Sequence, residues 1–339
     1  MHRSEITIDL GAVRRNVRRL RSVLGRTELW AVVKADGYGH GAADVAGAAL
    51  GEGAQALCVA TVAEGLALRR GFPGVRILVM GQSAGREIAQ AREADLDLAV
   101  FDEPIPDGVR VHLKLDTGMG RWGLAELPAP PANVVGLMSH LATADSDPEF
   151  ARAQIERFEE ATAGHTNLIR HIANSAAALR IPESHFDAAR CGIALYGLSP
   201  FGEPPAVDGL EPVLRWESFL GQVRQLAPGE STGYSRGFVA QEATWIGIIP
   251  VGYADGFRRD MTGTRVIVAD EPRHVVGVVS MDALAVELDQ ELPVGTPVTL
   301  VGHGALMEDH ARVADTITYE LATGIDSSST RARRVVLDA

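Results

Sequence analysis

The sequence has few of the features that mark secreted, membrane-spanning or disulfide-rich proteins. It contains only two cysteines among 339 residues, and Cys58 lies in an apolar run, so a disulfide-stabilised scaffold is not expected. No stretch reaches the 18 uninterrupted apolar residues of a membrane-spanning helix, and the N-terminal Met-His-Arg-Ser-Glu lacks the apolar core of a signal peptide. We therefore expect a cytoplasmic protein that does not associate with membranes.

Basic residues are also in the minority. The chain has 32 Lys and Arg against 44 Asp and Glu, and this net charge of −12 argues against nucleic-acid binding as its main task. A content of 46% hydrophobic and 22% charged residues is typical of a soluble globular enzyme with one large or two domains. No repeat, low-complexity tract or long linker interrupts the chain.

The first two thirds of the chain alternate between short apolar runs and helical patterns. Alternating strands and helices with eight strands indicate a parallel (β/α)8 TIM-type barrel, here assigned to residues 9–212. Helical periodicity covers residues 10–25, 42–50, 62–70, 86–94 and 148–163. The eight apolar runs are residues 30–35, 56–61, 76–81, 96–101, 109–116, 133–141, 168–174 and 186–193.

Two of the expected barrel helices have no room in the sequence. Only residues 102–108 separate the fourth run from the fifth, and residues 122–132 after the fifth contain Pro128, Pro130 and Pro131. Proline removes a backbone donor and clashes inside a helix. We therefore predict a barrel in which two helices are shortened or absent.

The pattern changes after Glu211. Short alternating runs separated by Pro/Gly turns, at 219–225, 244–250, 264–268, 275–279, 283–288 and 297–301, predict a mainly β C-terminal domain over residues 213–339. Within it only residues 307–323 have a helical pattern. Residues 1–8 are expected to form an N-terminal strand that joins this β domain.

Lys34 ends the first apolar run and precedes a glycine-punctuated turn. A lysine is costly to bury unless it is paired or chemically used, and at a strand end it is well placed to form a Schiff base. One alternative is a dinucleotide-binding loop, but the spacing of Gly37, Gly39 and Gly41 is G-x-G-x-G instead of G-x-G-x-x-G. The other alternative is an ordinary surface lysine.

Polar residues also follow four further strands, at the barrel end where active sites form. Individually, His140 could be a core histidine, Asn174 a helix cap and Arg190 an ion-pair partner. Together, a phosphate-binding group and a reactive lysine are what pyridoxal phosphate requires. The residues that follow these four strands are Arg121 after the fifth strand, His140 after the sixth, Asn174 and Ser175 after the seventh, and Arg190, Gly192 and Ile193 after the eighth.

With these residues the chain resembles a known family, the bacterial alanine racemases, which combine an N-terminal barrel with a C-terminal β domain. The resemblance runs from Glu5 to about Gly324. Its most specific blocks are residues 31–41, 112–123, 139–145, 190–198, 233–238, 249–256 and 280–283.

The resemblance implies pyridoxal 5'-phosphate as cofactor and no metal. Lys34 would bind it covalently, and Arg190 would hydrogen-bond the ring nitrogen, with His140 beside the ring. An arginine cannot give up its proton, so the ring would be a weaker electron sink, which suits racemisation. The phosphate side would comprise Tyr38, Asn174, Ser175, Gly192 and Ile193.

The same resemblance implies two opposed bases and a homodimer. Lys34 would handle the proton on the D face of the substrate and Tyr234 the proton on the L face. Tyr234, Met281 and Asp282 would complete the site of the other subunit in trans. Arg121, Tyr253 and Met281 would shape the substrate-carboxylate end, Asp282 would also be a substrate-binding residue, and Lys114 would be carbamylated to hold Arg121.

The expected activity is the interconversion of L-alanine and D-alanine, which supplies D-alanine for peptidoglycan. Alternatives are a racemase of serine or of several amino acids, a non-catalytic pyridoxal-phosphate carrier, and a basic-amino-acid decarboxylase of the same fold. The chain departs from the family at Cys191, where proline is commonest, and in the tail around Ser327, which lacks the usual Arg-Val-Pro-Arg.

Overall fold

A computed structural model describes residues 2–338 and divides the chain into two compact units. The barrel unit contains residues 12–201 and 208–211. The β unit contains the chain up to Gly11, residues 202–207 and the chain from Pro212 onwards. The ends of the predicted domains, residues 1 and 339, lie outside the described residues.

The predicted eight-stranded parallel barrel is confirmed. Its strands follow the order β8-β7-β6-β5-β4-β3-β2-β9, and every neighbouring pair is parallel. Backbone bonds from Asp187 N to Arg170 O and from Arg190 N to Ala173 O, both 2.9 Å, bring the two end strands together. The strands are β2 (Glu28–Val32), β3 (Ala56–Val59), β4 (Arg76–Val79), β5 (Asp97–Val100), β6 (Val111–Lys114), β7 (Val134–Met138), β8 (Ile169–His171) and β9 (Ala188–Cys191).

The two missing helices are confirmed as well. Among the described residues, no helix lies between β5 and β6 or between β6 and β7. Elsewhere local signals set the helix starts: Asp147 caps Phe150 N with Pro148 in the first turn, and Thr61 and Glu64 form a capping box. The helices of this part of the chain are α1 (Leu10–Leu24), α2 (Lys34–Tyr38), α3 (Ala42–Gly51), α4 (Val62–Arg69), α5 (Arg86–Glu93), α6 (Pro148–Thr162) and α7 (Ser175–Arg180).

The barrel strands end earlier than the apolar runs predict. The run at 30–35 becomes a strand that stops at Val32, and the run at 186–193 one that stops at Cys191. Val33 N still donates to Cys58 O at 2.9 Å, and Gly192 and Ile193 are buried, whereas Ala35 at the end of the first run is exposed. Lys34 and His140 therefore lie just beyond strand ends, whereas Lys114 ends β6 and Arg190 lies within β9.

The β unit is built on a nine-stranded sheet in the order β11-β14-β17-β16-β15-β18-β10-β1-β19, with a separate β12-β13 pair. The N-terminal strand pairs antiparallel with β10 and parallel with β19. The strands are β1 (Glu5–Asp9), β10 (Leu214–Phe219), β11 (Gln222–Leu226), β12 (Ser231–Thr232), β13 (Phe238–Val239), β14 (Thr244–Ile249), β15 (Arg265–Val268), β16 (Glu271–Val276), β17 (Leu284–Leu288), β18 (Pro297–Val301) and β19 (Arg333–Leu337).

The single helical segment predicted at 307–323 is two helices, α8 (Met307–Val313) and α9 (Thr318–Gly324). The break lies at Asp315, whose φ of 48° is left-handed and cannot continue a right-handed helix. In the part of the chain that the structure describes, no helix is long and apolar enough to cross a membrane.

Candidate active site

Lys34 begins a left-handed turn at the C-terminal end of β2. Ala35, Asp36, Gly37 and Tyr38 have φ values of 51°, 49°, 62° and 54°. This conformation costs a residue with a Cβ roughly 1–2 kcal/mol. Gly37 is the glycine that the turn requires, because a Cβ there would also lie 3.2 Å from the Ala42 backbone.

Hydrogen bonds compensate for the conformation of this turn. Gly37 N donates to Val33 O at 3.0 Å, and Gly41 N donates to Asp36 O at 2.8 Å. The Asp36 carboxylate accepts from Ala42 N at 2.9 Å and so caps α3. The turn is therefore a defined support for Lys34.

The environment of Lys34 disfavours its charged form. Burial lowers the pKa of the Lys34 ammonium, the positive charge of Arg121 lowers it further, and Glu64 opposes both. A lysine whose pKa lies below its ordinary value is a better nucleophile and base near neutral pH. The structure thus favours chemical use over the alternative of an ordinary surface lysine.

Tyr38, Ser175, Gly192 and Ile193 lie together beside this turn. Ser175 Oγ accepts from Gly192 N at 2.9 Å, and a Cβ at Gly192 would lie only 2.5 Å from Tyr38 Oη. Because Ser175 Oγ accepts in this bond, its hydroxyl hydrogen can be donated to an anion in the cradle that these four residues form. The Asn174 side chain accepts from Ala177 N at 3.0 Å, so it caps α7, as its simpler interpretation predicted.

Arg190 is buried on β9 and has no carboxylate partner among the described residues. Its Nη2 donates to Ser139 O at 2.8 Å and lies 3.3 Å from His140 Nδ1. Its Nη1 donates to His171 O at 3.0 Å and to His171 Nδ1 at 2.7 Å. Burial lowers the pKa of Arg190 to about 10, which leaves it cationic at neutral pH.

A fully buried chain of polar groups continues from Arg190 to Asp97. His171 Nε2 lies 2.9 Å from His112 Nδ1, and His112 Nε2 lies 3.3 Å from Asp97 Oδ2. Arginine only donates, so His171 Nδ1 is the acceptor and the proton of His171 is on Nε2. The same logic leaves the proton of His112 on Nε2, where Asp97 accepts it.

The imidazoles of His112 and His171 are both neutral. Burial lowers the pKa of His112 and places that of His171 well below its ordinary value. The sequence-based interpretation missed the connection between Asp97, His112 and His171. A signal was present: each is a titratable residue inside an apolar run that predicts a barrel strand.

His140 and Lys114 lie in the same positively charged environment. Burial and the nearby cations, Arg190 foremost, lower the pKa of His140 to about 3. Burial, Arg121 and Arg190 lower the pKa of Lys114 to about 8. Lys114 Nζ lies 5.9 Å from the centroid of the Trp122 ring, and the Arg121 guanidinium lies 5.6 Å from the same ring.

Lys34 and Lys114 are the only lysines in the sequence, since the other 30 of its 32 basic residues are arginines. Both lie at the C-terminal ends of barrel strands, and both have lowered pKa values. The scarcity of lysine was therefore a compositional signal for these two positions.

The remaining predicted residues belong to the β unit. Tyr253 N donates to Ser280 O and Ala254 N to Met281 O, both at 3.0 Å, which holds the Tyr253 and Met281 segments side by side. Asp282 pairs with Arg331 at 2.9 Å. Tyr234, Tyr253 and Met281 are 67%, 42% and 52% exposed, although large apolar side chains are usually covered.

Family models and curated proteins match most of the chain. The family model of the alanine racemase N-terminal domain matches residues 8–200, and that of the C-terminal domain matches residues 213–335. The alanine racemase of Beutenbergia cavernae is 42% identical over 354 residues, covering 93% of this chain and 94% of that protein.

Solved structures agree with the sequence match. The biosynthetic alanine racemase from Pseudomonas aeruginosa is 35% identical and superimposes with a TM-score of 0.92 over 100% of both chains. The alanine racemase from Bacillus anthracis with bound L-Ala-P is 32% identical, with a TM-score of 0.88 over 100% of this chain and 96% of that one. The chain therefore belongs to the alanine racemase family and contains both its N-terminal and its C-terminal domain.

Proposed function

We propose that this protein interconverts L-alanine and D-alanine with pyridoxal 5'-phosphate as cofactor, and that it supplies D-alanine for peptidoglycan. Family membership over both domains supports the reaction and the substrate. The observation that carries the proposal within the molecule is Lys34, one of only two lysines, held with a lowered pKa beside the Ser175–Gly192 cradle.

The residues present fit pyridoxal phosphate. Gly192 leaves the space next to Tyr38 Oη that any larger residue would fill. Tyr38, Ser175, Gly192 and Ile193 would bind the phosphate, and Lys34 would hold the carbonyl carbon. When bound, the cofactor withdraws electrons from the α-carbon of the amino acid, so that its proton can be removed.

Arg190 would donate a hydrogen bond to the ring nitrogen. Its other donors are occupied by carbonyl groups and neutral histidines, and its pKa of about 10 keeps it protonated at neutral pH. Arg190 would therefore leave that nitrogen unprotonated. The resulting limit on electron withdrawal favours return of the proton over side reactions such as transamination.

Racemisation needs a proton carrier on each face of the α-carbon. Lys34 Nζ takes or returns the proton on the D face, and burial assists it by disfavouring the ammonium form. Tyr234 Oη serves the L face. Because Arg190 Nη2 donates to His140 Nδ1, His140 carries its proton on Nε2 and can donate a hydrogen bond to Tyr234 Oη.

Tyr234 would come from a second copy of the chain in a homodimer. The exposure of Tyr234, Tyr253 and Met281 supports this assignment, because these apolar surfaces would be covered by the partner. Arg121 would bind the substrate carboxylate, and Tyr253, Met281 and Asp282 would line the substrate space and limit the side chain. Lys114, with a pKa of about 8, is neutral often enough at pH 7 to react with carbon dioxide and hold Arg121 as a carbamate.

The decisive experiment measures D/L interconversion over a panel of amino acids, together with the oligomeric state. We expect alanine as the best substrate and a dimer. Equal turnover of serine would favour the broad-specificity alternative, and no turnover of any amino acid would favour a carrier.

Tyr234→Phe tests the two-base assignment. It should slow exchange of the α-proton of L-alanine by a factor of at least 10², the range in which general acid–base catalysis contributes. Absorbance of bound cofactor that borohydride removes should be retained in Tyr234→Phe and absent in Lys34→Ala. Full L-alanine exchange in Tyr234→Phe would refute the role of Tyr234, and retained absorbance in Lys34→Ala that of Lys34.

A further inference from the structure

We propose that Glu64 is a positioning residue for Lys34: its carboxylate fastens the left-handed turn to the neighbouring loop and sets the orientation and charge of the lysine. The proposal rests on the function proposed above, which makes Lys34 a proton carrier. Glu64 itself needs to touch neither substrate nor cofactor for this role.

The Glu64 carboxylate joins two loops. Its Oε2 accepts from Ala60 N at 2.8 Å and from Thr61 N at 3.1 Å, and the Thr61 side chain accepts from Glu64 N at 3.2 Å. These bonds are an ordinary capping box at the start of α4. The capping box leaves Oε1 free to bind elsewhere.

Glu64 Oε1 accepts from Ala35 N, the residue directly after Lys34, at 2.7 Å. Ala35 is the first residue of the turn with positive φ. The strands before the two loops, β2 and β3, are paired in parallel with Val32 opposite Cys58. One carboxylate therefore ties the backbone beside Lys34 to the start of α4, where a neutral side chain has no second equivalent oxygen.

Glu64 also acts on the charge of Lys34. The pKa of Lys34 is lowered by burial and by Arg121, and Glu64 is the carboxylate that raises it. Removing the Glu64 charge should therefore lower the pKa of Lys34 further. The same substitution should leave Lys114 unaffected, because the charges acting on that lysine are Arg121, Arg190 and Asp116.

The presence of only two lysines makes this measurable without any enzyme assay. The cofactor-free full-length chain is acetylated at a series of pH values, and the peptides containing Lys34 and Lys114 are quantified by mass spectrometry. Lys114 serves as the internal reference. Glu64→Gln and Glu64→Ala are compared with Thr61→Ala, which removes the cap of α4 but keeps the Glu64 carboxylate.

In both Glu64 variants, we expect the acetylation profile of Lys34 to move to lower pH, with a rate roughly threefold higher below its midpoint, as partly exposed charge pairs produce. The profile of Lys114 should not move, and Thr61→Ala should match the wild type at both lysines. In holoenzyme, the limb of the pH profile that depends on Lys34, measured with D-alanine, should shift in the same direction.

An unchanged Lys34 profile in both Glu64 variants, or an equal shift in Thr61→Ala, would overturn the proposal. Glu64→Gln retains the size of the side chain and remains the test if Glu64→Ala does not fold. Absence of racemase activity in the wild type would refute the proposed function instead, and the acetylation result would still decide whether Glu64 acts on Lys34.

Discussion

Asp97→Asn is the most informative perturbation of the buried hydrogen-bonded series that runs from Arg190 through His171 and His112 to Asp97. Asp97 has no exposed surface and accepts hydrogen bonds or ion pairs from Arg110 Nε at 2.6 Å, Arg76 Nε at 3.2 Å and His112 Nε2 at 3.3 Å. An asparagine has the same shape but only one acceptor oxygen. Whichever way the amide turns, its NH2 group faces either Arg110 or the pair of Arg76 and His112, and all three are donors.

The expected loss is about 2–4 kcal/mol in the free energy of unfolding. A hydrogen bond to a charged group contributes roughly 1.5–3 kcal/mol, and an unsatisfied buried donor costs about 1–3 kcal/mol. The total is less than for a fully buried ion pair, because the side chains of Arg76 and Arg110 are 31% and 37% exposed and can be hydrated.

The matched control is Asp95→Asn. Asp95 contacts the same Arg110 at 2.5 Å, but its side chain is 66% exposed, so its loss should cost less than about 1 kcal/mol. Its φ of 55° is left-handed, a conformation that asparagine also tolerates.

The pH dependence gives a second, independent test. Burial alone would raise the pKa of Asp97, but the hydrogen bond from His112 and the charges of Arg110 and Arg76 outweigh it and lower the pKa. The stabilisation is therefore complete above the pKa of an unfolded aspartate, about 3.9, and is lost as the pH falls through the lowered folded value.

Urea unfolding of wild type, Asp97→Asn and Asp95→Asn at pH 7 and near pH 3 measures both effects. The deficit of Asp97→Asn should be large at pH 7 and should shrink in acid. Equal stability of the two variants at pH 7, or a deficit that does not change with pH, would refute the assignment of a charged, hydrogen-bonded Asp97.

Two further predictions concern the cofactor and substrate ends of the site. Gly192→Ala places a Cβ 2.5 Å from Tyr38 Oη, so pyridoxal phosphate affinity should fall at least about tenfold, or ~1.4 kcal/mol, in a fluorescence titration. Adding Tyr38→Phe should not restore the affinity, because it removes a hydroxyl that would bind the phosphate, and wild-type affinity in Gly192→Ala would refute the phosphate-binding role of this cradle. Lys114→Gln should raise the KM for alanine with a smaller change in kcat, because Arg121 loses its carbamate partner. A wild-type KM, with no bicarbonate-dependent adduct in intact-protein mass spectra, would refute that role.

Local patterns were sufficient for much of the fold. The eight apolar runs predict the eight parallel strands, because a strand buried on both faces needs a nearly continuous apolar sequence. The proline-rich segment at 122–132 correctly predicts a missing helix, since proline is incompatible with a helix interior. The helical pattern at 307–323 misled, because periodicity does not register the left-handed backbone at Asp315.

Local sequence patterns could not predict the long-range contacts. His112 and His171 are 59 residues apart, and their hydrogen bond exists only because β6 and β8 face the same barrel interior. Nothing local distinguishes Glu64 from other capping glutamates, because the partner that matters, Ala35 N, lies 29 residues earlier.

By itself, the sequence determined the alternation of elements, the missing helices, the β-rich second domain and the placement of Lys34 after a buried strand. These follow from side-chain volume, hydrophobic period and backbone compatibility within a short window. Only the tertiary structure decided what surrounds the reactive groups: the carboxylate beside the Lys34 turn, the neutral histidines behind Arg190 and the space at Gly192. Burial and the distance between charges set these properties, and both arise when distant segments pack together.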